Sequence, residues 1–253
     1  MKNTLIPEEG KDTINNLIKV AKEVLRNDLV SIYGMGSLGY GGFVNGWSDF
    51  DIDIILADDT DIDFIQAMYK IEGKLHDMGY GRVDVKCYSV KELNAETLPY
   101  TYGTRNRAVM LCDSATLIYG ENISDRIVRP SIEELRKESI SLVQSLLSKD
   151  NDWWFSRPID DTAALLALPA RLVFTCTTGE VTHKAKAIDY LMEQHEKEIS
   201  PNLWAWVIWA RACREIPYAQ NLPRDLYENA IKAAHGQMLW VKNQLLANCG
   251  VKL

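Results

Sequence analysis

The chain has 253 residues, 47% hydrophobic and 25% charged, with a formal net charge of −7. That is a globular composition, long enough for one large or two small domains. The acidic balance argues against nucleic acid as the main partner, because neutralising phosphates takes basic clusters, and it suits a cationic ligand or plain solubility.

The opening segment "MKNTLIPEEGKDTINNLIKV" carries charges where a signal peptide needs an apolar stretch. No run approaches the roughly 18 apolar residues of a membrane span. Cysteines at 87, 112, 176, 213 and 249 show no CxxC spacing, and an odd, scattered set reads as reduced thiols of a cytoplasmic protein.

Apolar residues at Ile14, Leu17, Ile18, Ala21 and Leu25 follow a helical spacing and predict a first helix. "LVSIYGM" is a short apolar run ended by glycine and predicts a strand. A glycine-rich loop follows, and "FDIDIILA" predicts a second strand. "DIDFIQAMYKIEGKLHDMGY" is an amphipathic helix closed by Gly79. "RVDVKCYS" alternates and is β-branched, so it predicts a third strand, and "ATLIYG" offers a fourth. Residues 121–131 read as a connection. Beyond them every periodic segment is helical, at about 132–148, 160–178, 183–195, 201–215 and 223–247. The expected architecture is an α/β domain with a small mixed sheet, residues 1–125, followed by an all-α helical bundle, residues 126–253, with a ligand cleft between them.

The chemistry concentrates in "IYGMGSLGYGGFVNGWSDFDIDIILA". It holds six glycines, then Asp49, Asp51 and Asp53 at every second position, then an apolar run. Residues two apart on a strand share a face, with Cα atoms roughly 6.5 Å apart. Aspartate is a poor strand residue, and like charges side by side cost energy. A divalent cation between the carboxylates reverses that cost. Mg²⁺ takes hard oxygen ligands and commonly bridges one or two carboxylates to substrate phosphates. Gly36 and Ser37, just after a strand, offer backbone N–H groups to a phosphate, and glycine permits close approach. The bland alternative is a glycine turn beside a solvated, charged edge strand.

Gly-Ser followed after about ten residues by Asp–apolar–Asp resembles the signature of the DNA polymerase β-like nucleotidyltransferase superfamily. The chain is most similar to its aminoglycoside adenylyltransferase branch, which includes the kanamycin and the streptomycin/spectinomycin enzymes. "YGMGSLGYGGFVNGWSDFDI" resembles that branch's "YGS…YSDI" segment. "RVDVKCYS" resembles its next strand, with Asp84 where the relatives carry glutamate. "ARLVFTCTTGEVTHKAKAIDYLM" resembles a helix–turn–helix of the streptomycin/spectinomycin group's second domain. Two registers of the metal pair are open, Asp49/Asp51 and Asp51/Asp53. "WSDFDI" imitates "YSDI", which favours the first and leaves Asp53 behind the ligands or on the surface. No basic residue follows Gly-Ser as it does in many relatives.

The resemblance implies Mg-dependent nucleotidyl transfer. An acceptor hydroxyl attacks the α-phosphate of a nucleoside triphosphate, ATP as the expected donor, and pyrophosphate leaves. Asp49, Asp51 and Asp84 would hold Mg²⁺, two ions in the expected arrangement, with Asp84 as acceptor-side ligand or base. Gly36 and Ser37, with Arg171 and Lys184 of the helical domain, would contact the triphosphate; Thr182 is placed to cap the helix that carries Lys184. The expected acceptor is a small cationic molecule of aminoglycoside type, which points to antibiotic resistance. Trp154, Asp160 and Asp161 of "DWWFSRPIDD" suit an aminosugar through ion pairs and cation–π contacts, although acids also favour a helix N-terminus and tryptophans a core. Glu92 and Glu96 are weaker acceptor-side candidates. The alternatives are a noncatalytic member of the same fold that binds nucleotide or a partner, and a nucleotidyltransferase acting on protein or tRNA.

Overall fold

The computed structural model describes residues 10–41, 43, 48–95, 103–157, 159–195, 197–215 and 224–248. The chain divides into two compact units, Met1–Pro130 and Ser131–Leu253.

The first unit begins with helix α1 (Lys11–Leu25), whose stripe of Ile14, Leu17, Ala21 and Leu25 is buried. Strand β1 (Leu29–Gly34) leads into a short helix, α2 (Gly36–Tyr40). Strand β2 (Phe50–Leu56) is followed by α3 (Phe64–Asp77). Asp63 caps α3 by accepting from the backbone N–H of Ile65 at 2.9 Å and of Gln66 at 3.1 Å. Gly79, at φ +92°, takes the left-handed turn that ends it. Strand β3 (Val83–Ser89), helices α4 (Val90–Leu93) and α5 (Thr104–Asp113) and strand β4 (Thr116–Gly120) complete the unit.

The sheet order is β3-β2-β1-β4. β1 runs antiparallel to both β2 and β4, while β2 and β3 are parallel. The α3 crossover accounts for the parallel pair, since a hairpin cannot connect parallel strands. One face of the sheet is apolar: Ile52, Ile54 and Leu56 of β2 join Ile32, Val85 and the inward stripes of α1 and α3 in a single core cluster. Alternation therefore sends Asp51, Asp53 and Asp84 to the opposite face. The segment after β4 stays tied to this unit. Buried Tyr33 accepts from the backbone N–H of Ile123 at 2.8 Å and donates to Asn122 Oδ1 at 3.1 Å.

The second unit is all helical: α6 (Ile132–Leu147), α7 (Asn151–Phe155), α8 (Ile159–Thr178), α9 (Lys184–His195), α10 (Pro201–Glu215) and α11 (Arg224–Asn248). Ser131 and Glu134 close the start of α6 with a reciprocal capping box. The core gathers Leu166, Ala170 and Phe174 of α8 with Ile188 and Leu191 of α9, Val207 of α10, and Ala234, Met238 and Val241 of α11. The α/β-then-helical architecture is the one the sequence predicts. Among the described residues no helix is long and apolar enough to cross a membrane.

Candidate active site

The acidic face is assembled by register. β2 and β3 pair so that Asp51 stands opposite Asp84 and Asp53 opposite Lys86. In a parallel ladder directly opposed residues point to the same side of the sheet, so Asp51, Asp53 and Asp84 form one group. The loop after β1 covers its rim. Met35 donates its backbone N–H to the Asp51 carbonyl at 2.8 Å. Gly36 then takes φ +52°, and a Cβ built on it would collide with the Asp51 carboxylate. Only glycine allows both this backbone and this approach. Ser37 follows as the second residue of α2 and is half-buried.

Asp53 is fully buried, which excludes the surface-charge reading of its place in the strand. Its Oδ1 pairs with Nη1 of Arg107 on α5, and the other guanidinium nitrogen of Arg107 lies 3.9 Å from Asp84 Oδ2. The second oxygen of Asp53, Oδ2, is buried and makes no hydrogen bond to the described residues. Burial raises the Asp53 pKa to about 6, with Arg107 opposing and the charges of Asp51 and Asp84 adding to the rise. Burial works against the charge on Arg107, but the Asp53 carboxylate outweighs it and holds the guanidinium cationic. On the outer side of the group, Lys86 Nζ sits 2.6 Å from Asp84 Oδ1.

Asp49 stands apart. It precedes β2, is exposed, and accepts from Arg82 Nε at 2.9 Å. The sequence pattern offered two pairs of carboxylates; in the fold, Asp51 and Asp53 share the face with Asp84, and Asp49 faces Arg82.

The donor set suits a hard divalent cation. All three groups are carboxylates, and a buried oxygen lacks a partner. Among the described residues, however, no three acidic, histidine or cysteine side chains are drawn together as ligands. The cations of Arg107 and Lys86 lie against the carboxylates instead.

The other sequence candidates lie in the helical unit. Arg171 is half-buried on α8, and Lys184 is the first residue of α9. His183 caps that helix: its Nδ1 accepts from the Lys186 backbone N–H at 3.2 Å, a place the sequence assigned to Thr182. Trp154 is a core residue, 3% exposed, edge-on to Trp153 and to His235. A tryptophan so enclosed packs helices and offers no face to a solvent-borne ligand. Asp161 lies 3.7 Å from Arg157, whose guanidinium stacks over Trp153. The side chain of Asp160, and Glu96, lie outside the described residues. Glu92 is engaged in the capping box that starts α4.

Sequence reasoning missed Arg107. Its helix α5 buries Ala108, Val109, Met110 and Leu111 consecutively, so it lacks the spaced apolar stripe that marks a helix. The available signal was electrostatic, because a carboxylate inside an apolar strand requires a cation from elsewhere in the chain.

No family model matches the chain, and no curated protein does. Among solved structures it is similar to the spectinomycin adenyltransferase AAD(9) from Enterococcus faecialis, determined with ATP and spectinomycin, at a TM-score of 0.67 and 14% identity. The match covers 93% of this chain and 98% of that one. The two proteins share a fold along nearly their whole lengths.

Proposed function

We propose, taking that shared fold as the premise, that this chain transfers a nucleoside monophosphate, AMP from ATP, to a hydroxyl of a small cationic acceptor of aminoglycoside type. The observation that carries the reading is the register of β2 and β3, which stands Asp51 beside Asp84 with Asp53 behind them. A structural strand has no use for three like charges on one face, and a metal–triphosphate site does. The neighbour's ATP and spectinomycin support the donor and the acceptor class.

In this reading Asp51, Asp53 and Asp84 hold Mg²⁺. Bound Mg²⁺ would supply neutralisation of the triphosphate charge. The acceptor oxygen forms a bond to the α-phosphorus, the bond from that phosphorus to the bridging oxygen breaks, and pyrophosphate departs. Asp84, whose side chain is 42% exposed where that of Asp53 is buried, takes the hydroxyl proton. Gly36 and Ser37 bring backbone N–H groups to the rim of the carboxylates. Arg171 and Lys184 remain the helical unit's candidates for phosphate contact.

The test is pyrophosphate release with Mg-ATP against a panel of aminoglycosides, run with wild type and Asp51→Asn. Acceptor-dependent release that Asp51→Asn abolishes supports the proposal. Nucleotide binding without release against any small acceptor, protein or tRNA replaces it with the noncatalytic alternative.

A further inference from the structure

The most unusual arrangement in the first unit is the pairing of cations with carboxylates at the place the proposed reaction needs a metal ion. We infer that Arg107 and Lys86 hold the place of the divalent cation on this face, and that cation entry displaces them; the inference rests on the metal-dependent reading above.

Three observations carry it. Asp53 is buried, and among the described residues its ion-pair partner is the Arg107 guanidinium. The same guanidinium reaches toward Asp84 with its second nitrogen, at 3.9 Å, so one fork spans two of the three carboxylates. The ammonium of Lys86 takes Asp84 Oδ1 from the other side at 2.6 Å. Together these cations offset the mutual repulsion of Asp51, Asp53 and Asp84 in the absence of metal.

The orphaned Oδ2 of Asp53 shows that the internal cations are an incomplete substitute. Arg107 satisfies one oxygen of that carboxylate and leaves the other buried without a hydrogen bond. A buried acceptor in that state carries a desolvation cost that a ligated ion would remove. Arginine suits the holding role because its charge does not titrate away and its fork meets a carboxylate in the plane. Arg107 is itself largely buried on α5, so the helix keeps the guanidinium nearby after displacement, as an anion-binding donor beside the carboxylates.

Displacement has a measurable consequence. A cation must compete with the internal pair, so its apparent affinity is the intrinsic one multiplied by the fraction of molecules in the unpaired state. Arg107 and Lys86 are therefore positioning residues that set metal affinity.

The experiment titrates Mn²⁺ into the full chain without nucleotide, reading free Mn²⁺ by electron paramagnetic resonance, and records thermal unfolding with and without saturating Mn²⁺. Arg107→Gln should bind Mn²⁺ about tenfold more tightly than wild type, as expected when a dominant competing state is removed. It should also be less stable without metal and gain more from Mn²⁺ than wild type does. Lys86→Met, which keeps the length and apolar stem of a half-buried side chain and removes only its charge, should tighten binding in the same direction and keeps the test open if Arg107→Gln does not fold. Asp53→Asn should weaken binding. A purely structural arginine and lysine predict lower stability with Mn²⁺ affinity unchanged or weakened, and that result overturns the inference even if wild type is active with Mg-ATP. Absence of Mn²⁺ binding in wild type and both tightening variants overturns the inference and the metal-dependent function with it.

Discussion

Replacing Gly36 by alanine tests the rim of the site in a single atom. The residue sits at φ +52°, and an added Cβ would strike Asp51 Oδ2 and lie 3.2 Å from its Cγ. The left-handed backbone alone costs an alanine about 1 kcal/mol, up to about 2 kcal/mol. The clash adds the cost of turning the Asp51 carboxylate off its rotamer, about 0.5–1.5 kcal/mol. Gly36→Ala should therefore lose about 2–3 kcal/mol in urea unfolding, a moderate loss for one methyl group. Turnover should fall further, by about 100-fold, because Asp51 is moved from its place beside Asp84. The two terms separate in an Asp51→Ala background. There the Cγ and Oδ2 are gone and the remaining Cβ contact of 3.6 Å is ordinary. Gly36→Ala should then cost only the backbone part. An equal cost in both backgrounds would refute the contact, and wild-type turnover in Gly36→Ala would refute the role given to Asp51.

The register of the carboxylates is settled by kinetics: Asp49→Asn should leave turnover within a few-fold of wild type, about 1 kcal/mol or less for an exposed pair, whereas Asp53→Asn should abolish most of it. The opposite ranking returns the metal to Asp49/Asp51. Tyr33→Phe strands the backbone N–H of Ile123, which the hydroxyl receives at 2.8 Å, and should cost about 1–3 kcal/mol in denaturant titration; an unchanged midpoint shows another acceptor takes over. Burial raises the Cys87 thiol pKa to about 12, so iodoacetamide at pH 8 should leave it unmodified in the native protein and alkylate it once unfolded. Rapid native labelling at Cys87, read by peptide mass spectrometry, contradicts that burial. Lys184→Ala should raise the KM for ATP more than that for the acceptor, by a factor worth about 1–3 kcal/mol; an unchanged ATP KM removes Lys184 from the proposed nucleotide contacts.

The parts of the fold that follow a period were legible. The stripe of α1, the alternation of β3 and the long helices of the second unit each bury residues at fixed spacing, and their bounds fall within a few residues of the sequence reading. The elements without a period were not. α2 and α7 are five residues each, and α5 is marked by consecutive apolar residues. The acidic cluster was readable as chemistry but not as geometry. A period of two places Asp49, Asp51 and Asp53 on one face, but it cannot say where the strand starts or which end goes inside. Those facts come from partners distant in the chain: Arg82 holds Asp49 outside, and Arg107, 54 residues beyond Asp53, makes its burial tolerable. Trp154 illustrates the same limit, since the motif that suggested a sugar-binding surface could not show that His235 and Trp153 enclose it.

The strand order β3-β2-β1-β4 has a further consequence for biosynthesis. The first strand formed is central and the last lies beside it, with Ser31 paired to Gly120 and Gly34 to Thr116. During translation β1, β2 and β3 emerge with one flank of β1 still open, an unpaired edge that invites association with other nascent chains. Closing it requires a loop of more than eighty residues and is intrinsically slow. α5 is made immediately before β4, so Asp53 acquires its counter-charge at nearly the moment the sheet acquires its last strand. Before that point, the apolar side of β2 can pack on α1 and α3, but the face that carries Asp53 has no arginine to meet it. The acidic face of the sheet is thus the last side of the first unit to be completed, and the helical unit is made after it.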